Sequence, residues 1–185
     1  MNLPGAAWIA GGLAVASLVA GTLAFAVPVR VQGWLRAFPR SRSAGVVLSL
    51  AALLGAAVEL HRMPMGMLES WKPSLLVLIP LVFILVVVFM DDLLAPRALG
   101  GILALAATPI LETVRWHPSS GRLVLVVLAY LMAGIGCYWM LSPYGFRKMV
   151  ESTCKTAAAI RYWGIVKIFA SIGLFMLGWH LSISF

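Results

Sequence analysis

The chain has 185 residues, 62% of them hydrophobic and 11% charged, with a mean hydropathy of +1.01 and a net charge of +8. This composition excludes a water-soluble globular domain, because such domains carry about 25% charged residues. Lys and Arg collect in the cytoplasmic loops of membrane proteins, so the positive charge does not indicate nucleic acid. We expect no nucleic-acid partner.

Six apolar stretches follow one another with short connectors. The clearest covers residues 74–90, a run of 17 residues without a charge that is followed by Asp91 and Asp92. A helix of this length spans most of the hydrocarbon core of a bilayer, which is about 30 Å thick. We therefore predict an all-α integral membrane protein, a bundle of six transmembrane helices forming a single transmembrane domain over residues 1–185. The predicted helices cover residues 6–27, 44–58, 74–90, 98–114, 123–141 and 162–182.

The first predicted helix carries small residues at a four-residue spacing. They are Gly12, Ala16, Ala20 and Ala24. Small side chains allow the backbone of another helix to approach closely inside a membrane. We predict that this stripe packs against another helix, either of this chain or of another subunit.

The connectors after the first and fifth helices are basic and contain aromatic residues. Basic residues interleaved with aromatic ones favour a segment that lies in the headgroup layer, so we expect both connectors to bind membrane lipid. The residues concerned are Arg30, Trp34, Arg36, Arg40 and Arg42 in the first connector, and Arg147, Lys148, Lys155 and Arg161 in the second.

The distribution of charge predicts the orientation of the chain. If all six helices span, the connectors after the first, third and fifth hold nine Lys and Arg residues, and the opposite connectors hold four. The positive-inside rule then assigns the first group to the cytoplasm and places both termini outside, in the cell (inner) membrane. Lys167, within the last helix, is interpreted as extending its ammonium to the cytoplasmic surface.

The acidic residues lie at or near helix ends, which predicts local ion pairs rather than a path for ions. We expect Asp91 and Asp92 to pair with Arg97 and with the basic connectors, and Glu112 to pair with Arg115, three residues further on. Residues 74–90 are accordingly interpreted as a central helix, tied to its neighbours at the cytoplasmic surface.

Two groups of residues are candidates for holding a metal or a cofactor. An imidazole with alternating thioethers suits Cu(I), although the same methionines are equally suited to filling the membrane interface as flexible apolar side chains. A b-type haem needs two facing histidines. We expect no resident cofactor, with copper and haem as the alternatives. The copper candidates are His61, Met63, Met65 and Met67, and the haem candidates are His61, His117 and His180.

The sequence contains no Ser/His/Asp grouping, metalloprotease helix motif or phosphate-binding loop, so we expect no enzymatic activity. The leading hypothesis is a non-catalytic subunit or scaffold of a larger membrane complex. The six-helix layout with an Ala-rich first helix is similar in size and arrangement to the substrate-binding components of energy-coupling factor importers. That resemblance implies the alternative, a small-solute transporter or the substrate-binding membrane subunit of one. A third hypothesis is a copper- or haem-handling membrane protein.

Overall fold

The computed structural model of the protein describes residues 4–89 and 93–183, and all regular structure in that part of the chain is helical. It contains eight α-helices and two short 3-10 helices, Phe38–Arg40 and Gly66–Trp71. The α-helices are α1 (Pro4–Ala26), α2 (Pro28–Ala37), α3 (Arg42–Arg62), α4 (Lys72–Phe89), α5 (Leu94–Val114), α6 (Arg122–Leu141), α7 (Pro143–Thr153) and α8 (Ala157–Ile183).

Among the described residues, six helices are long and apolar enough to cross a membrane, and they match the six predicted ones. The predicted all-α, multi-pass membrane fold is therefore confirmed. The largest difference is at α8, which begins at Ala157 rather than at residue 162. Thr156 explains the earlier start, because its hydroxyl oxygen accepts the Ala159 N–H at 3.2 Å and so caps the first turn.

Two short helices, α2 and α7, each follow a spanning helix and each begin with proline, at Pro28 and Pro143. Proline is well suited to a first helical position, where no N–H is needed. At α7 the Ser142 hydroxyl also accepts the Gly145 N–H at 3.3 Å. The sequence predicted basic interfacial segments at both places but did not predict that they are helical.

The predicted central position of the third spanning helix is wrong. None of the residues described in α4 is buried, and Phe89 is 79% exposed. The helix contacts α3 along the chain before it. Because lipid is as apolar as leucine, high hydrophobicity places a helix in the membrane without placing it in the centre of a protein.

The chain forms two compact units, each assembled from separate parts of the sequence. The first unit runs to Arg36 and continues with Ala106–Met132 and from Lys148 onward. The second unit consists of Ala37–Leu105 and Ala133–Arg147, so α5 and α6 contribute to both units. The single transmembrane domain stays a prediction.

The first unit is organised around the contact between α1 and α8. Ala6, Ala10 and Ala14 are buried on α1, and Gly164, Ser171 and Gly178 are buried on α8 at a seven-residue spacing. The Ser17 hydroxyl on α1 donates a hydrogen bond to the main-chain carbonyl of Lys167 at 3.0 Å. Small side chains on both helices thus allow their backbones to come into direct contact.

The second unit has a similar close approach between α5 and α6. A β-carbon added to Gly100 would lie 2.6 Å from the carbonyl oxygen of Gly136, so neither position has room for a side chain. An aromatic cluster lies in the same unit. The Phe146 ring lies 4.8 Å from the Trp139 ring, edge to face, and 6.0 Å from the Phe38 ring.

Candidate functional site

The two basic connectors meet in the first unit at the turn between α7 and α8. The Gln32 side-chain amide and the Arg36 guanidinium, both on α2, donate to the carbonyl oxygen of Cys154 at 2.7 and 2.6 Å. Cys154 follows the last residue of α7, where carbonyl groups lack partners within the helix and a positive charge is favourable. Residues 118 positions apart in sequence are joined in this way.

The Cys154 thiol at this junction is not set up as a nucleophile. Its side chain is buried. Burial raises the pKa of the thiol, and the smaller, opposing effect of the Arg36 charge does not reverse the shift. The thiol is therefore protonated at neutral pH, which is the unreactive form.

Below this junction, α1, α2, α7 and α8 enclose a groove with a volume of about 440 Å³, which we call the Lys167 groove. Its walls are almost entirely apolar, and among the described residues that line it Lys167 is the charged one. All of them belong to the first unit. The lining residues are Ala20, Leu23, Ala24, Val31, Trp34, Leu35, Met149, Thr153, Cys154, Ile160, Trp163 and Lys167.

Lys167 lies deep along its helix. It is ten residues after the start of α8, about 15 Å along the axis. Its carbonyl is level with Ser17, nine residues before the end of α1. Side chains on a helix lean towards its N-terminus, so the Lys167 side chain leans towards Trp163. In the described part of the chain, no hydrogen bond or ion pair holds the Lys167 ammonium.

The second unit contains a smaller cavity of about 200 Å³. Half-buried Arg97 and buried Ser49 supply its polar groups, and α3, α4, α5 and α6 supply apolar walls. Neither this cavity nor the Lys167 groove is lined by Glu59 or Glu112, the carboxylates that would favour an ion-coupled transporter.

The four copper candidates lie at the end of α3 and in the connector that follows. His61, Met63 and Met67 are exposed, Met67 to 99%, and Met65 is half-buried. The Met65 N–H donates to the Glu69 carboxylate at 3.0 Å, which holds the turn. The described residues contain no group of three or more His, Cys, Asp or Glu side chains that could hold a metal ion. Methionine thioethers are a further class of copper ligand, so the copper site stays a prediction.

The haem candidates are divided between the units. His117 is 2% exposed, and its Nδ1 accepts the Ser119 N–H at 3.2 Å, which assigns the ring proton to Nε2. His180 is also in the first unit. Its ring lies near Gly121, because a β-carbon added to that glycine would be 3.5 Å from His180 Cδ2. His61 belongs to the second unit. A haem site stays a prediction.

The structure does not form the predicted pair between Glu112 and Arg115 among its described residues. Both side chains are exposed. The Arg115 guanidinium carbon instead lies 5.2 Å from the centre of the Trp116 ring, a cation–π contact. Asp91 and Asp92 lie outside the described residues, and so does any pairing of theirs with Arg97.

The predicted small-residue stripe on α1 is only partly used within the chain. Gly12, Ala16 and Ala20 are exposed, whereas Ala24 is buried. On a helix of 3.6 residues per turn, residues four apart are rotated by about 40° around the helix axis. The stripe therefore winds around α1: it begins on a side away from α8 and ends against α8. The seven-residue spacing on α8 follows one face with a drift of about 20° and was the signal that the sequence interpretation missed.

Most of the predicted lipid-binding residues are exposed. Trp34 is exposed beside the groove, Arg36 is exposed while bound to the Cys154 carbonyl, and Arg147 is half-buried. The remaining residues, all exposed, are Arg30, Arg40, Arg42, Lys148, Lys155 and Arg161.

Comparisons with known proteins supply no relative. No protein-family model, curated protein or solved structure matches the chain. Any functional conclusion therefore rests on the geometry of this chain alone.

Proposed function

We propose that this chain is a non-catalytic, polytopic subunit or scaffold of a larger membrane protein complex. It packs against partner helices through exposed small-residue faces and binds lipid at the basic segments of α2 and of the α7–α8 turn. We further propose that these basic segments lie on the cytoplasmic side of the cell (inner) membrane, with both termini outside.

The observation that supports this proposal best is the exposure of Gly12 and Ala16 on α1, outside the Lys167 groove. Small residues in a membrane helix allow a second backbone to approach closely, and on this stretch of α1 no such neighbour from the described chain covers them: a β-carbon added to Gly12 would meet nothing within 4 Å. A helix of another subunit is the occupant that this surface suits. The α4 helix, none of whose described residues is buried, offers further apolar surface.

A pair of neighbouring substitutions on α1 tests the proposal. Ala16→Trp blocks the stripe, and Val15→Trp adds the same bulk at the adjacent exposed position. The tagged chain is purified from its native membranes in mild detergent, and the retained proteins are quantified by mass spectrometry. We expect the wild type and V15W to retain the same membrane proteins and A16W to lose them. A wild type that purifies as a monodisperse monomer contradicts the proposal.

The alternative, a small-solute transporter or its substrate-binding subunit, would be favoured by a cavity lined by Glu59 or Glu112, and neither described cavity has one. The copper or haem hypothesis is tested by metal analysis and an absorption spectrum of the purified protein. Because neither described cavity is lined by Glu59 or Glu112, we place the subunit hypothesis first.

A further inference from the structure

We infer that the Lys167 groove binds one anionic phospholipid of the surrounding bilayer, with the lipid phosphate at the Lys167 ammonium and an acyl chain along α1 and α8. This inference rests on the proposed lipid-binding role and narrows it from two basic segments to one groove.

The size and lining of the groove suit a bound amphiphile. Its volume of about 440 Å³ lies within the range of ligand sites, which are mostly apolar with a few polar groups that fix orientation. Leu23 and Ile160 offer hydrocarbon to an acyl chain. The indoles of Trp34 and Trp163 also line the groove, and such rings favour the level of the headgroups.

The charge in the groove selects an anion. An ammonium at membrane depth is unfavourable unless it reaches water or an opposite charge. No described residue pairs with the Lys167 ammonium, and no carboxylate lines the groove. A lipid phosphate can reach this level from the bilayer and accept a charge-assisted hydrogen bond, which is stronger than a neutral one.

The shape of the groove favours a lipid over the other anions and over a protein. Free phosphate would have to leave water to reach this level, and an isolated anion in an apolar medium is strongly unfavourable. A transmembrane helix about 10 Å across with its side chains fills roughly 120 Å³ per residue, so the groove has room for only about one turn of it. An acyl chain is slender enough to enter and is continuous with the bilayer outside.

Lipid titration followed by native mass spectrometry tests the role of the charge. The probes are dioleoyl phosphatidylglycerol and dioleoyl phosphatidylcholine, which share acyl chains and differ in net charge. We expect the wild type to retain one phosphatidylglycerol and to prefer it over phosphatidylcholine by about tenfold. Both lipids offer a phosphate to Lys167, but the choline ammonium offsets the charge of that phosphate and repels the lysine. Lys167→Met should remove the preference. Arg62→Met, at an exposed position at the end of α3, outside the groove and outside the basic segments, should keep it.

A second pair of variants tests the groove independently of the charge. Ala20→Phe fills the groove, and Ala16→Phe adds the same ring on the same exposed stretch of α1 outside it. Both positions are exposed, so both variants should fold, which far-ultraviolet circular dichroism checks. We expect A20F to lose the tightly bound phosphatidylglycerol and A16F to retain it.

Equal retention of the two lipids by the wild type overturns the inference. So does an equal loss in R62M and K167M, which would indicate a response to net charge alone, or unchanged retention in A20F. The capture of partner subunits is measured separately. A chain that captures partner subunits but shows no lipid preference would contradict this inference alone. A chain that prefers phosphatidylglycerol but captures no partner would contradict the subunit proposal alone.

Discussion

Gly21 on α1 and Gly164 on α8 lie directly opposite each other. A β-carbon added to Gly21 would lie 2.8 Å from the carbonyl oxygen of Gly164, and one added to Gly164 would lie 2.9 Å from that of Gly21. Real β-carbons essentially never make contacts this short. Because the obstructing atoms belong to the backbone, no change of rotamer relieves the contact. The two helices are therefore held at a separation that only glycine allows.

We expect Gly21→Ala or Gly164→Ala to force α1 and α8 apart. Overpacking of this kind costs about 1–3 kcal/mol of unfolding free energy. Gly12→Ala is the matched control on α1, because its β-carbon would meet nothing within 4 Å and alanine favours the helix. Thermal unfolding in detergent, followed by circular dichroism, measures the difference. A G21A variant as stable as G12A would show that the helices do not cross here.

The contact between α5 and α6 predicts the same behaviour in the second unit. A β-carbon on Gly136 would lie 2.5 Å from the carbonyl oxygen of Gly100, whereas one on Gly134, two residues earlier, would meet nothing within 4 Å. We expect Gly136→Ala to destabilise the protein by about 1–3 kcal/mol and Gly134→Ala to leave it unchanged or slightly more stable. The same unfolding measurement applies. Equal effects of the two substitutions would contradict this contact.

The α2 helix should loosen when Arg36 is removed. Arg36→Met leaves the Cys154 carbonyl with the Gln32 amide as its remaining side-chain donor. Because the guanidinium is exposed, we expect a modest loss of stability, about 1 kcal/mol, and faster amide hydrogen exchange in α2. Arg30→Met, at an exposed position on the same helix, is the control. Identical exchange in the two variants would argue against the role of Arg36.

The reactivity of Cys154 should depend on pH in a specific direction. Burial raises the pKa of its thiol, so the reactive thiolate forms at higher pH than in an exposed cysteine. We expect alkylation by iodoacetamide at pH 7.5 to be much slower at Cys154 than at the thiol introduced by S152C, an exposed position on α7. As the pH rises, the rate at Cys154 should increase over a higher pH range. If the alkylation rates at the two thiols depended on pH in the same way, the Cys154 thiol would be exposed to solvent and the prediction would be wrong.

The charge distribution predicts that both termini lie outside the cytoplasm. Green fluorescent protein fused to either terminus should stay dark in a bacterial host, and alkaline phosphatase fused to the C-terminus should be active, because each reporter works on one side only. The nine cationic residues of the first, third and fifth connectors are the physical reason. Fluorescence from a C-terminal fusion would place that terminus in the cytoplasm and contradict the predicted orientation.

Several features of the site depended on three-dimensional contacts. The sequence identified Trp34 and Lys167, each by its position in a connector or helix, but nothing in their spacing brings them to one groove. Cys154, a free and buried cysteine, offers its carbonyl oxygen to the Arg36 guanidinium. Hydrogen bonds between distant segments leave no periodic signal in the chain.

The sequence by itself determined the number of spanning helices, because a bilayer requires apolar stretches of a fixed length. It also determined most of their ends to within two residues, whereas the end of α3 and the starts of α5 and α8 differ by four or five. It could not determine which helix is central. Residues 74–90 were the most apolar, yet α4 is the one with no buried residue, since lipid covers apolar side chains as well as protein does. Which small residues touch was decided by the tertiary structure alone: Gly21 meets Gly164 because of where two helix axes cross, and Gly12, equally small, does not.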